Sequence, residues 1–107
     1  MTKEELPGMV LISAQAALIG TITPNIRRIS IGWQGFEKFF FPVIYDSQPS
    51  EEDVEEMECV ITEIISDVPF KWAELAEVIV STEPLWELKC LDRIVYQRKE
   101  YVLPTPE

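Results

Sequence analysis

The sequence predicts an α+β fold, a two-layer sandwich in which two helices cover one face of a four-stranded, mainly antiparallel sheet. Two observations support this prediction. The period of the apolar residues changes from helical to two, back to helical and again to two, which gives the order αββαββ. The chain has 107 residues, 47% of them hydrophobic and 10% aromatic, which is enough for one hydrophobic core. We therefore expect a single domain spanning residues 1–107.

The first element is predicted to be a helix from about Glu4 to Ile19. Apolar and small residues fill this stretch, and Gly20 followed by Pro24 supplies a stop signal. The Ala-Gln-Ala at 14–16 is typical of a signal-peptide cleavage site, but the acidic N-terminal segment and the short apolar run oppose export. We therefore expect a buried helix in a cytoplasmic protein.

A β-hairpin is predicted between Arg27 and Tyr45. The residues alternate with period two on both sides of Gln34-Gly35, a dipeptide typical of a hairpin turn. Trp33 falls on the apolar face of the first strand and is expected in the core. Pro42 cannot donate a ladder hydrogen bond, which favours an edge position or a bulge in the second strand.

Three basic residues, Arg27, Arg28 and Lys38, also lie on this hairpin. They predict either a small basic spot on the surface or cross-strand pairs with Glu37 or other acidic residues. The sequence leaves both interpretations open.

The second helix has the most regular pattern in the chain. Ser50 stands at the N-cap position with Asp53 three residues later, a shorter-armed form of the capping box. Apolar residues then recur at spacings of three and four until Pro69, which predicts an amphipathic helix. These apolar residues are Val54, Met57, Val60, Ile61, Ile64, Ile65 and Val68.

Two further strands complete the predicted sheet, one within Leu75–Ser81 and one around Arg93–Lys99. The connection between them, residues 83–92, shows no definite period. The segment 102–107 is expected to be a flexible tail.

The composition excludes several kinds of catalytic and metal site. The chain has no histidine, which removes Ser-His-Asp and Cys-His arrangements and histidine zinc sites. Its two cysteines, Cys59 and Cys90, cannot complete a four-cysteine site and are expected to be reduced, with a disulfide as the alternative. An enzyme would need a pocket built from carboxylates, Tyr45, Tyr96 or Cys90, and no spacing indicates one. We expect no catalytic residue, metal or cofactor.

Carboxylates crowd the second helix. The net charge is −10, and the segment from Ser50 to Ile65 contains seven acidic residues with no Lys or Arg. Acids in the first turn stabilise a helix, but like charges one turn apart each cost roughly 0.2 to 0.5 kcal/mol. A solvated face and a surface for a basic partner are therefore equally good interpretations. The seven residues are Glu51, Glu52, Asp53, Glu55, Glu56, Glu58 and Glu63.

Two tryptophans lie in predicted connections beside acidic residues. Trp72 and Trp86 are either anchors of an interface or part of the loop packing.

The succession of these elements resembles small bacterial immunity proteins associated with contact-dependent growth inhibition and related polymorphic toxin systems. The resemblance extends from about Ala16 to Tyr101. Its motifs are TPNIRRISIGWQG, FEKFFFPVIYD, QPSEEDVEEMECVITEIISD and DRIVYQRKEY.

The resemblance implies a non-catalytic protein of the bacterial cytoplasm that binds one cognate toxin domain and blocks it. Such toxins are frequently nucleases with basic substrate channels, which the acidic helix would occupy as a nucleic-acid mimic, although immunity proteins also bind away from the active site. Charge then selects the candidate toxin-binding residues, which are Asp46, Glu51, Glu52, Asp53, Glu55, Glu56, Glu58 and Glu63.

Neither nucleic acid nor a membrane is expected as a direct partner, because the chain is strongly acidic. The free protein is expected to be a monomer or a weak dimer. The alternative function is a cytoplasmic adaptor or structural domain that self-associates through the first helix or the Phe-rich second strand.

Overall fold

A computed structural model describes residues 2, 4–73 and 76–100 of the chain. It contains two α-helices, six strands and one short 3-10 helix. In chain order these elements are α1 (Leu6–Leu18), β1 (Ile26–Gln34), β2 (Lys38–Phe40), β3 (Pro42–Tyr45), α2 (Glu51–Asp67), β4 (Trp72–Ala73), β5 (Glu77–Val80), the 3-10 helix (Leu85–Glu87) and β6 (Arg93–Gln97).

The α1 helix has one buried side. Its buried residues recur at helical spacing, and Gly20 with a φ of 78° follows the C-terminus in the left-handed conformation that glycine adopts most readily. The expected buried helix is buried on this side only, because Ile12 and Ile19 are exposed by 66% and 82%. The buried residues are Leu6, Val10, Ser13, Ala14, Ala17 and Leu18.

The predicted hairpin is confirmed. β1 pairs antiparallel with β2 and then with β3, and Gly35 has a φ of 54° in the turn. β2 pairs with residues 32–34 of β1 and β3 with residues 26–29, both on the same side of β1. Pro42 is not on an edge strand, since β3 lies between β1 and β5. It is the first residue of β3, a position where the missing donor of proline is tolerated.

The sheet corrects the predicted topology. Hydrogen bonds connect the strands along the path β4-β2-β1-β3-β5, in which β2 and β3 share one side of β1, and β6 pairs the other side, so six short strands replace the expected four. The β1 pairs are antiparallel, but β2 with β4 and β3 with β5 are parallel. The physical reason is that α2 carries the chain over the sheet between β3 and the later strands, and such a crossover returns it in the same direction.

Two sequence predictions extend beyond the described residues, one in part and one entirely. The third predicted strand began at Leu75, and the described strand β5 is Glu77–Val80. The segment 102–107, predicted to be a tail, lies entirely outside the description.

The core lies between the two helices and one face of the sheet. Both helices contribute to a single cluster with alternate residues of the hairpin strands, and Trp33 is half-buried against it. The hairpin residues of this face are Ile29, Ile31, Phe39, Phe41, Val43 and Tyr45.

The connection between β5 and β6 covers the opposite face of the sheet. The Arg28 guanidinium donates to the carbonyl oxygens of Leu85 and Leu88, at 3.3 and 3.2 Å. The Leu91 amide donates to Ser30 Oγ at 3.1 Å. This segment, which had no periodic pattern in the sequence, therefore closes the second face of the sheet.

Arg27 and Arg28 do not form a basic surface spot. They are only 5% and 8% exposed, and Arg27 donates to the Glu100 carboxylate at 2.7 and 2.9 Å. Pairing with an acidic residue is therefore the correct alternative for Arg27. Lys38 behaves differently, because its Nζ lies 5.9 Å from the ring centroid of Trp72.

Candidate functional site

The candidate site is built on α2. Ser50 caps the helix as predicted, since its Oγ accepts a hydrogen bond from the Asp53 amide at 3.1 Å. The helix ends at Asp67, before Pro69. Its inner stripe, which consists of Met57, Val60, Ile61 and Ile64, is buried against the sheet and α1.

The acidic side chains of α2 lie on its outer side. Glu51, Glu52, Glu55, Glu56 and Glu63 are exposed, and Asp53 and Glu58 are half-buried. The sequence contains no Lys or Arg between Lys38 and Lys71. Among the ion pairs of the described residues, none includes a carboxylate of α2. We call these seven residues the acidic face.

An open cleft of about 340 Å³ lies beside the first two turns of α2. Three carboxylates of the acidic face line it, together with the apolar side chain of Val54. Gln48 and Pro49, which sequence reasoning missed, complete the wall. Their position directly before the N-cap was the only signal, because residues there lie close to the first helical turn. The carboxylates are those of Glu51, Glu55 and Glu58.

Asp46 differs from the residues of the acidic face because its carboxylate has a cationic partner. Its Oδ2 accepts a hydrogen bond from Arg98 at 2.7 Å, and Ser47 donates to its Oδ1 at 3.0 Å. These two hydrogen bonds, that of Arg98 first, lower the pKa of the carboxyl. The Asp46 carboxylate thus already forms an ion pair with Arg98 of the same chain.

The sequence matches a known protein family over most of its length. Residues 7–100 match the profile of the MafI2 immunity protein family, which is nearly the whole described chain. The chain belongs to the MafI2 immunity protein family. No curated protein matched the chain.

Membership confirms the resemblance to small bacterial immunity proteins of polymorphic toxin systems. The partner of a MafI2 immunity protein is therefore a cognate toxin, and proteins of this kind are in general non-catalytic. Neither helix in the described ranges combines the length and the apolar content that crossing a bilayer requires.

Tyr45 lies beneath the acidic face of this MafI2 immunity protein. The side chain is fully buried at the end of β3, and its hydroxyl has no hydrogen-bond partner among the described residues. Burial, and then the negative charges of Asp53 and Glu56, raise the pKa of Tyr45 to about 12. The folded protein therefore favours the neutral form of the phenol.

The two candidate tryptophans lie elsewhere in the immunity protein. Trp72, on β4, packs edge-on against Phe40 with 6.1 Å between ring centroids. Trp86 is 71% exposed on the 3-10 helix, in the connection that covers the sheet face opposite the helices. The structure therefore does not bring Trp86 together with the acidic face.

The carboxylates and thiols of the described residues do not meet at a metal site. Within residues 4–73 and 76–100, no three Asp, Glu or Cys side chains are arranged so that they could hold a metal ion. Cys59 and Cys90 are free thiols, and both are exposed. The acidic face of this MafI2 immunity protein thus concentrates negative charge on the outer side of α2.

Proposed function

We propose that this MafI2 immunity protein neutralises a nuclease toxin by placing the acidic face of α2 against the basic surface that binds the nucleic acid. The observation that carries the proposal is the set of seven carboxylates on one helix without a cationic partner in the described chain. Such a surface is costly for the free protein, because neighbouring like charges repel. A basic partner would turn that cost into attraction.

The spacing of the charges supports nucleic-acid mimicry. Residues 51–63 span about 18 Å of helix, which gives about one negative charge per 2.6 Å. Duplex DNA carries one charge per about 1.7 Å of axis, and a single strand about one per 3.4 Å. A channel that binds a phosphate backbone would thus find a comparable charge density on α2.

The cleft beside α2 adds a specific contact to this general attraction. Glu51, Glu55 and Glu58 surround it, and Gln48 offers an amide oxygen. A guanidinium group has five donors in a planar fork, which suits a pocket with several carboxylate acceptors. We expect one arginine of the toxin to enter this cleft. Neutralisation would take place in the cytoplasm, where the substrates of a nuclease are.

The first prediction concerns charge reversal on the acidic face. Replacing Glu52, Glu55 and Glu56 by Lys should slow association with the toxin domain at least tenfold at low salt and flatten its salt dependence. The same variant should inhibit hydrolysis of a nucleic-acid substrate less well. Stopped-flow association with the cognate toxin domain over a range of salt concentrations measures the effect.

A matched control reverses three exposed acidic residues away from α2. The triple replacement of Glu83, Glu87 and Asp92 by Lys changes the net charge by the same amount, but on the connection over the opposite sheet face. This control variant should associate with the toxin domain at nearly the rate of the unmodified protein. Equal slowing by both triple variants would show that overall charge, and not the acidic face, steers the encounter.

A further inference from the structure

The outer side of α1 carries no charge and is apolar. Met9, Ile12, Ala16 and Ile19, which we call the neutral stripe, are all exposed, Ile12 by 66% and Ile19 by 82%. The sequence has no charged residue between Leu6 and Ile26. On a chain with a net charge of −10, such a surface is the opposite of the acidic face.

The neutral stripe and the acidic face adjoin one another. α1 and α2 pack side by side, and Ser13 Oγ donates to Asp67 Oδ2 at 2.7 Å. Helical spacing places Met9 and Ala16 one turn from Ser13, and Glu63 one turn from Asp67. The outer sides of the two helices therefore form one continuous surface, apolar on α1 and acidic on α2.

The two halves of this surface suit different steps of binding. Carboxylates speed the encounter with a basic partner, whereas the lifetime of a complex depends mainly on apolar anchors in a core that is poor in charge. On α2 itself the exposed large apolar side chain is Ile65, at 37%, beyond the last carboxylate of the acidic face. The neutral stripe supplies large apolar side chains at its border.

We infer that the neutral stripe of α1 is the apolar half of the toxin interface. The inference rests on the proposed function of α2. The toxin surface that fits has an uncharged apolar patch next to its basic patch. The acidic face would then set the association rate, and the neutral stripe would set the dissociation rate.

A second copy of this chain fits the neutral stripe less well. Pairing through α1 would place two acidic faces next to the contact, on protomers that each carry a charge of −10. The four side chains of the stripe also cover only part of the roughly 800 Å² per partner that a stable interface buries. A basic toxin removes the repulsion and adds the α2 contact area.

The second prediction separates the two rates. The double variant Ile12→Gln/Ile19→Gln should dissociate from a nuclease-inactive toxin domain at least tenfold faster, with its association rate and salt dependence unchanged. Gln has at least the helix propensity of Ile at position 12, Ile19 follows the last residue of α1, and both positions are exposed, so the fold should be retained. Thermal unfolding checks that the fold is retained. The dissociation rate is also measured for the single variant Ile19→Gln, which alters only one side chain.

The matched control is Val80→Gln. Val80 is also an exposed apolar side chain, but it lies on β5, separated by β1 and β3 from the strand β6 that α1 contacts. Its dissociation rate should equal that of the unmodified protein.

Each outcome has one meaning. An unchanged dissociation rate in the Ile variants, with association still slowed by reversal of the acidic face, would overturn the inference and leave the proposed function standing. Unchanged association in the α2 triple variant would overturn the proposed function itself. A free-protein dimer that the Ile variants dissolve, with toxin dissociation unaffected, would assign the neutral stripe to a second copy.

Discussion

At the scale of single residues, the hydroxyl of Tyr45 is the most unusual group in the core. A buried hydroxyl without a partner costs free energy, because it has given up its hydrogen bonds to water. The aromatic ring, by contrast, fills space between β3 and the inner stripe of α2. The ring and the hydroxyl therefore have opposite effects on stability.

The third prediction follows from this separation. Tyr45→Phe keeps the ring and removes the unpaired hydroxyl, so it should raise the free energy of unfolding by about 1 kcal/mol. Urea unfolding measures the change. Tyr96→Phe, at a half-buried ring on β6, is the control and should change stability by less than about 0.5 kcal/mol. Destabilisation by Tyr45→Phe would show that the hydroxyl is bonded in solution.

The pH dependence of Tyr45 has a definite sign. Its pKa is raised from the ordinary 10.0 to about 12, so the folded protein favours the neutral phenol. The contribution of Tyr45 is fully present below about pH 10 and is lost as the pH rises towards 12. The Phe variant should lose less stability over this interval.

At the scale of elements, the connection between β5 and β6 depends on a glycine in β1. A Cβ at Gly32 would lie 3.2 Å from Leu91 Cδ1 and 3.3 Å from Leu91 Cβ. A Cβ at Gly8, in the first turns of α1, would meet nothing within 4 Å. The two glycines therefore differ in what surrounds them.

The fourth prediction compares these two positions. Gly32→Ala should lower the free energy of unfolding by about 1 kcal/mol, because Leu91 must move away from the sheet. Gly8→Ala should raise it by roughly 0.5 kcal/mol, since alanine favours the helix and nothing obstructs it. Chemical denaturation of both variants measures the difference. A neutral Gly32→Ala would mean that the connection can shift without cost.

The elements differ in how far the sequence could predict them. α2 and the hairpin follow from periodicity and turn residues, which act between near neighbours in the chain. The two-residue strand β4 is too short to show a period, and the parallel pairs depend on where α2 returns the chain. α1 could be predicted as a helix, but its uniformly apolar sequence contained no sign of which side faces outward.

The candidate site also contains features that the sequence could predict and features that it could not. The exposure of the acidic face was predictable, because helical spacing places its residues opposite the apolar stripe. The role of the connection 83–92 was not, because it contacts Arg28 through backbone carbonyls, which leave no pattern in side-chain types. The hydrogen bond from Arg98 to Asp46 joins residues 52 positions apart, so the sequence could not predict it either.

At the scale of the whole molecule, one ionic network joins four parts of the chain. Arg27 of β1 donates to Glu100, beyond β6, and to the carbonyl oxygens of Ser81 and Glu83, beyond β5. Arg98 bridges from Glu100 to Asp46, which follows β3. The network therefore connects the ends of four neighbouring strands, β6, β1, β3 and β5.

The fifth prediction concerns acid. The hydrogen bonds from Arg27, and then the nearby positive charges, lower the pKa of Glu100, so its contribution to stability is present above about pH 4.3 and is lost as the pH falls through its lowered pKa. Glu100→Gln should cost about 1 to 3 kcal/mol at pH 7, because it leaves the buried Arg27 without its carboxylate.

Urea unfolding at pH 7 and in the acid range tests this expectation. The difference between the unmodified protein and Glu100→Gln should shrink as the pH falls below about 4. Glu77→Gln is the control, since Glu77 forms an exposed ion pair with Lys89, and its loss should cost less than about 1 kcal/mol at any pH. A difference that is independent of pH would exclude the Glu100 charge as its source.

The division of α2 into an inner and an outer side also bears on how such a protein can diverge. Four buried residues, Met57, Val60, Ile61 and Ile64, tie the helix to the core, and substitutions there endanger the whole fold. The outer positions carry no such packing constraint, since five of the seven carboxylates of the acidic face are exposed and the other two are only half-buried. Under the proposed function, substitutions at these outer positions would therefore change which toxin is bound while the scaffold beneath stays the same.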